Sequence, residues 1–256
     1  MFIPVSVLLA QDKHNLSVEF NVNRANYKME SLNSYLGDTN YFPSMFYGKD
    51  LEGNIKSGID YNLVLSYQPF NFIDFGIFSN YQYSSIRRQK EFAFGTPPYP
   101  TYVVEGTNSI EVNALSTGLS TRLYINKLLH LDQSNSQFLK KLQLSIGFSG
   151  GLGFSTLIDR ETSYISGTPN NNSNDGKKFQ YKATDFQGRT ELGIGYKIGK
   201  SLFSDVGFKI GYQFFRTSLL KNASGSSVYP SGYPKTQTIN LDFSGIYYGI
   251  YLKIGK

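Results

Sequence analysis

The chain has 256 residues, 25 basic and 19 acidic, for a mild net charge of +6. Charged residues make up only 17%, aromatics 16%, and there is no Cys and no Trp. These figures exclude a disulfide framework, a thiolate metal site and a cysteine nucleophile, argue against whole-chain disorder, and leave no dense Lys/Arg run of the kind that grips nucleic acid.

Residues 2–10 form a short apolar stretch that stops abruptly at Gln11, Asp12 and Lys13. That pattern predicts a secretory signal remnant over 1–10 and one structural domain over 11–256. It departs from the usual signal in having no leading Lys or Arg and a large residue, Leu8, near its end. No apolar run approaches the ~18 residues of a membrane-crossing helix, so a bilayer crossing here would use strands.

From Leu16 onward the dominant signal is alternation with period two, the mark of a strand with one apolar face. Leu16, Val18, Phe20 and Val22 alternate with Ser17, Glu19, Asn21 and Asn23. After a long connector over 25–56, Ile59, Tyr61, Leu63, Leu65 and Tyr67 alternate with Asp60, Asn62, Val64 and Ser66. A tight turn over 69–72 leads to Ile73, Phe75, Ile77 and Tyr81. A long connector over 84–108 precedes Leu115, Thr117, Leu119, Thr121, Leu123 and Ile125. The link over 126–141 carries Leu128, Leu129, Leu131, Phe138 and Leu139, spaced for a short amphipathic turn. Leu142, Leu144, Ile146, Phe148, Leu152 and Phe154 follow, then a long connector over 156–183. Thr190, Leu192, Ile194, Tyr196 and Ile198 lead through a tight turn at 199–204 to Val206, Phe208, Ile210, Tyr212 and Phe214. A last long connector over 216–237 precedes Ile239, Leu241 and Phe243. The phase then shifts near Gly245 and resumes as Ile246, Tyr248, Ile250, Leu252 and Ile254. A glycine at a phase shift predicts a β-bulge.

These are eight segments, most near the roughly 9–11 residues of a transmembrane strand. Their apolar faces carry no charge, whereas a Lys or Arg on a lipid-facing wall would cost about 2–4 kcal/mol at the midplane. Their other faces are mostly Gly, Ser, Asn and Gln, which suit the narrow interior of eight strands. Tyr67, Tyr83, Tyr124, Tyr212 and Tyr251 lie toward strand ends, where interfacial girdles form. Long and short connectors alternate, which predicts short periplasmic turns and long extracellular loops. The expected fold is an all-β, eight-stranded antiparallel up-and-down transmembrane β-barrel with four long extracellular loops. It is placed in the bacterial outer membrane with both termini periplasmic.

This rhythm, with Tyr67-Gln68-Pro69 at a tight turn and Gly193-Ile194-Gly195-Tyr196 on a glycine-rich strand, resembles the small outer-membrane β-barrels of the OmpA/OmpX type. The resemblance is architectural and covers residues 14–256. Such barrels often end in an aromatic residue; this chain ends Lys253-Ile254-Gly255-Lys256, which leaves open whether Tyr251 serves assembly instead.

The inward positions carry Glu19, Asp60, Asp74, Arg122, Arg189, Glu191, Lys197, Asp205 and Lys209. Glu19, Arg122, Glu191 and Lys209 fall in mid-strand and are expected to meet as an ion-pair network that fills the lumen; a gated ion path is the alternative. The connectors gather aromatics, among them Tyr41, Phe42, Phe46, Tyr47, Tyr99, Tyr102, Tyr229 and Tyr233. They either bind a partner or pack on one another as a cap. His14 and His130 are the only histidines and fall at the periplasmic end, away from where a lipid-modifying enzyme would meet surface substrate. Asn170–Asp175 offers oxygen atoms without the acidic spacing of a calcium loop, and no cofactor is expected. The expectation is a non-enzymatic structural or interaction barrel. It would be an adhesion-type barrel or an accessory subunit of a larger outer-membrane insertion or secretion complex; a small-solute channel is the alternative, and a lipid-modifying enzyme ranks behind both. Its expected partners are outer-membrane lipid and other outer-membrane or periplasmic proteins, with no nucleic acid.

Overall fold

A computed structural model describes residues 16–38, 54–96, 99–166, 174–198, 203–226 and 239–255. Eight strands close into a barrel in sequence order: β1 (Leu16–Asn26), β2 (Ser57–Phe70), β3 (Ile73–Thr96), β4 (Tyr99–Tyr124), β5 (Leu142–Ser166), β6 (Asn174–Lys197), β7 (Phe203–Phe214) and β8 (Gly245–Gly255). Each strand pairs antiparallel with its neighbour, and β8 closes on β1. Among the described residues, three short helices connect the strands: α1 (Glu30–Asp38), α2 (Ile125–Leu128) and α3 (Gln137–Lys141).

The alternation decides which way each side chain points. Phe20, Leu63, Ile77, Leu119, Leu152, Leu192, Phe208 and Ile250, one from each strand, all face outward and stay exposed, Leu119 at 72%. Burying one large apolar side chain is worth about 1.5–3 kcal/mol, so a belt of them around a closed wall needs hydrocarbon outside it. The fold is therefore a transmembrane β-barrel. Tyr67 and Tyr212 sit on this outer wall. Tyr124 and Tyr251, expected in the girdle, are buried at 6% and point into the lumen. Position near a strand end suggested the interface, but inward parity decided the orientation.

Strand length divides the barrel in two. β1, β2, β7 and β8 have 11, 14, 12 and 11 residues; β3, β4, β5 and β6 have 24, 26, 25 and 24. The β2–β3 ladder ends at Ile59–Tyr83 and the β6–β7 ladder at Gly188–Phe214. Beyond those points β3–β6 run on as a four-stranded sheet, adding roughly 40 Å of strand past Tyr83. The expected loops 84–108 and 156–183 are thus mostly hairpin, and Tyr99 and Tyr102 lie in β4. The connector 25–56, read as loop, contains α1.

At the short-turn end, Gln68 Nε2 donates to the Asn71 carbonyl at 3.0 Å across the β2–β3 turn. The β4–β5 link folds into α2, a 3-10 turn (Leu131–Gln133) and α3, a compact form of the expected amphipathic turn. Asn126 is buried there and its Oδ1 accepts from the Leu144 amide at 3.2 Å. Lys127 donates to Asp132 at 2.8 Å, and this contact holds the Asp132 carboxyl below the usual carboxylate range. A depressed folded pKa means the contact adds stability above the unfolded carboxylate range and loses it as pH falls through the folded value. The pair is partly solvated, so Lys127→Ala is expected to shift stability by under about 1 kcal/mol at neutral pH and by less in acid. Urea unfolding in micelles at two pH values measures this.

The apolar core lies inside the long-hairpin end. Inward-facing Ile110, Val112 and Ala114 of β4, Leu157 of β5 and Ala183 of β6 meet Tyr27, Met29 and Leu32, together with Phe215, Leu220, Ile239, Leu241 and Phe243. The last five come from segments that flank β7 and β8 and fold into the barrel mouth. Thr217 N donates to Leu241 O, and Phe243 N to Phe215 O, both at 2.9 Å. Contrary to the expectation, Ile239, Leu241 and Phe243 therefore do not begin the last strand, which starts at Gly245. The phase shift at Gly245 is where the chain leaves the plug and enters the wall. A Cβ on Gly245 would lie 2.0 Å from the Asn26 carbonyl oxygen, so only glycine fits this junction.

Candidate functional site

The lumen beneath the apolar core is filled by charged and polar side chains in three tiers. In the middle tier β1, β4, β6 and β7 bring Glu19, Arg122, Glu191 and Lys209 together. Arg122 grips Glu19 with both terminal nitrogens, Nη2 at 2.9 Å from Oε1, and reaches Glu191 Oε1 at 3.2 Å. Lys209 pairs with Glu191 at 2.9 Å and with Glu19. Positive and negative groups alternate around a closed square with no net charge. Tyr247 OH donates to Glu191 Oε2 at 3.1 Å, and Lys209 lies over the Tyr251 ring, 5.0 Å from its centroid. Glu19 is 1% exposed and Lys209 2%, so each charge depends on its partners rather than on water.

Toward the long hairpins, Arg189 pairs with Asp60 at 2.9 Å, donates to Asn80 Oδ1 at 2.8 Å and covers the Tyr247 ring at 5.0 Å. Gln82 and Gln213 exchange amide hydrogen bonds at 2.7 and 2.9 Å, and Gln213 Nε2 also donates to the Phe243 carbonyl at 2.6 Å. That last bond ties the polar filling to the apolar core above it. Toward the short turns, Lys253 pairs with Asp74 at 2.8 Å, and Tyr124 OH donates to the same Asp74 oxygen at 2.6 Å. Between this tier and the square lies a cavity of ≈ 20 Å³ lined by Asn62, Asp74 and Arg122 among others. That is room for about one water and no more.

The glycines of the inner wall make space for these large groups. A Cβ on Gly195 would lie 1.9 Å from the Tyr251 hydroxyl, and one on Gly153 would lie 2.4 Å from the Phe215 ring. We expect Gly195→Ala to cost about 1–3 kcal/mol by overpacking. Tyr251→Phe, which removes the hydroxyl in the way, should recover part of that loss in the double variant. Urea midpoints of the two single variants and the double would read the coupling.

The structure thus brings the four mid-strand residues into contact and places Asp60, Asp74 and Arg189 in neighbouring tiers. Lys197 is only partly buried, and Asp205 lines the short-turn end of the wall. Lys253, Tyr124, Tyr247 and Tyr251 were not expected in the filling. Their inward parity was the available signal: Tyr247, Tyr251 and Lys253 alternate with the outward Ile246, Tyr248 and Ile250. Tyr41, Phe42, Phe46, Tyr47, Tyr229 and Tyr233 lie outside the described residues, as do His14 and the segment 1–10. His130 occupies the turn after α2 with φ 53°, its Nδ1 3.5 Å from Gln133 Nε2. No cluster of three or more metal-ligating side chains occurs among the described residues.

No protein-family model matches the sequence, and no curated protein matches it. Solved structures similar in fold include Neisserial surface protein A, at 10% identity and TM-score 0.34, covering 96% of this chain and 100% of that one. The attachment invasion locus protein of Yersinia pestis, in complex with the heparin analogue sucrose octasulfate, aligns at 9% identity and TM-score 0.30, over 93% of this chain and 94% of that one. CarO2 of Acinetobacter baumannii aligns at 9% identity and TM-score 0.29, over 94% of this chain and 100% of that one.

Proposed function

We propose that this chain, an eight-stranded barrel with the architecture of the small outer-membrane proteins, is a sealed, non-enzymatic interaction barrel of the bacterial outer membrane. Its four-stranded sheet stands outside the bilayer as the docking surface. The observation that carries this reading is the surplus length of β3–β6, at 24–26 residues each. Roughly 9–11 residues cross the membrane, so the remainder has no role in spanning it. Strands projected this far present backbone edges and faces to other molecules. On this reading the termini and the short turns are periplasmic and the sheet is extracellular. An adhesion-type barrel and a subunit of a larger outer-membrane complex are two uses of the same surface.

A channel is disfavoured by two obstructions in series. The charged square closes the middle of the lumen, and the apolar core closes its mouth. Planar-bilayer recordings of the purified barrel are expected to show no steady conductance. Glu19→Gln/Arg122→Met, which breaks the square, is expected to stay silent because the apolar core remains. Steady conductance in the unaltered barrel would overturn the sealed reading. For docking, the test is the mass of the particle released by gentle detergent extraction. We expect it to exceed one chain, and to fall to one chain when 88–105 and 161–177 are replaced by short turns. A one-chain particle from the unaltered protein would refute a stable complex.

A further inference from the structure

Lys182 of β6 and Lys221, in the segment after β7, are joined by an isolated antiparallel bridge. Lys182 N donates to Lys221 O at 2.8 Å and Lys221 N to Lys182 O at 2.9 Å. This is the pairing in which two side chains stand directly opposite one another on one face of a sheet. Both lysines are exposed, and like charges so placed repel. Neither forms an ion pair among the described residues. Glu111, two strands away, is held by Arg160 at 2.9 Å. On the inward side of β6, Asp185 Oδ1 accepts from the Phe186 amide at 2.8 Å.

Their depth identifies what faces them. Lys182 pairs in register with Thr156, one outward step beyond Phe154, which is 49% exposed on the lipid-facing wall. One outward step is two residues, about 6.6 Å along the strand. The ammonium groups therefore sit just past the hydrocarbon boundary, where lipid headgroups lie, and their aliphatic stems can rest on the apolar wall. We propose that Lys182 and Lys221 form a binding site for the phosphate of an anionic membrane lipid, which lodges between the two ammonium groups and cancels their repulsion. The site holds a lipid on the outer wall, at the base of the projecting sheet where the β2–β3 ladder ends.

The test uses the full barrel in nanodiscs of phosphatidylcholine, with or without phosphatidylglycerol. Native mass spectrometry counts retained phosphatidylglycerol, and thermal unfolding gives the midpoint. The unaltered barrel is expected to gain stability from phosphatidylglycerol. Each Lys→Gln change at 182 or 221 is expected to weaken retention about fivefold. Arg87→Gln/Lys178→Gln removes two charges farther from the belt and should leave retention unchanged. In phosphatidylcholine alone, Lys221→Gln should match or exceed the unaltered barrel in stability, because repulsion is relieved with no anion lost. Equal loss of retention in the Arg87/Lys178 variant would reduce the effect to overall charge and overturn the site. An equal gain from inorganic phosphate in phosphatidylcholine discs would mean a free anion rather than a lipid, and would overturn it too.

Discussion

Arg122→Ala is expected to destabilise the barrel by about 3–5 kcal/mol, the cost of leaving a buried charge uncompensated. The square holds two cations and two carboxylates. Removing Arg122 leaves Glu19 and Glu191 competing for Lys209 alone, which already touches both. Glu19 cannot turn to water, because it is 1% exposed and faces the lumen. The informative comparison is Glu19→Gln/Arg122→Met, which removes one charge of each sign and spares the 2.9 Å Lys209–Glu191 pair. That double variant should be more stable than Arg122→Ala alone, although it carries more substitutions. Such non-additivity separates an electrostatic square from four independent space-fillers. Urea unfolding in micelles, followed by the mobility difference between folded and unfolded barrel on unboiled gels, gives both values. A midpoint for Arg122→Ala equal to that of the unaltered chain would show that the square does not support the fold.

The parts of this architecture that could be read in advance are those where each residue is judged by its own surroundings. An outward residue within the belt meets hydrocarbon, which accepts Leu119 or Ile250 and rejects charge, so the alternation stays clean there. The mid-strand charges could be read because an inward charge in a narrow barrel must find an opposite one. Past the belt that discipline lapses. Outward positions on β3 become Tyr83, Ser85 and Arg87 and face no hydrocarbon, so the period of two fades although the ladder to β4 continues to Thr96. A connector and a long hairpin then look alike. Helix α1 was hidden for another reason. Ser31, Asn33, Ser34 and Gly37 dilute the helix preference of Glu30 and Leu32, and the segment is held by contacts: Leu32 is fully buried in the core, and Asn33 exchanges hydrogen bonds with Ile55. Leu241 also reads as an ordinary strand residue, and Phe215 falls between the seventh segment and the connector 216–237. Only the chain's return into the mouth places them inside, and alternation carries no information about that.

Phe215→Ala should have the largest effect of any change in the apolar core, about 3–5 kcal/mol for truncating a fully buried ring. Phe215 is 0% exposed and stacks on Phe243 with centroids 5.4 Å apart; Phe243 in turn meets the Tyr27 ring edge-on at 5.3 Å. The loss should be local. The core rests on the segments flanking β7 and β8, whose few backbone bonds are separate from the β1–β8 ladder that closes the barrel. Hydrogen exchange of the Thr217 and Phe243 amides is therefore expected to speed up by two to three orders of magnitude, while amides of β1 and β8 keep their protection. Gly153 supplies the control. Alone, Gly153→Ala drives a methyl against the ring and should loosen the same amides. Combined with Phe215→Ala, that methyl enters space the ring has left, so the double variant should exchange more slowly than Phe215→Ala alone. Simple addition of the two effects would mean that Phe215 does not seat against Gly153, and that the mouth is closed by some other packing. The charged square below shares none of these contacts, so neither variant should conduct.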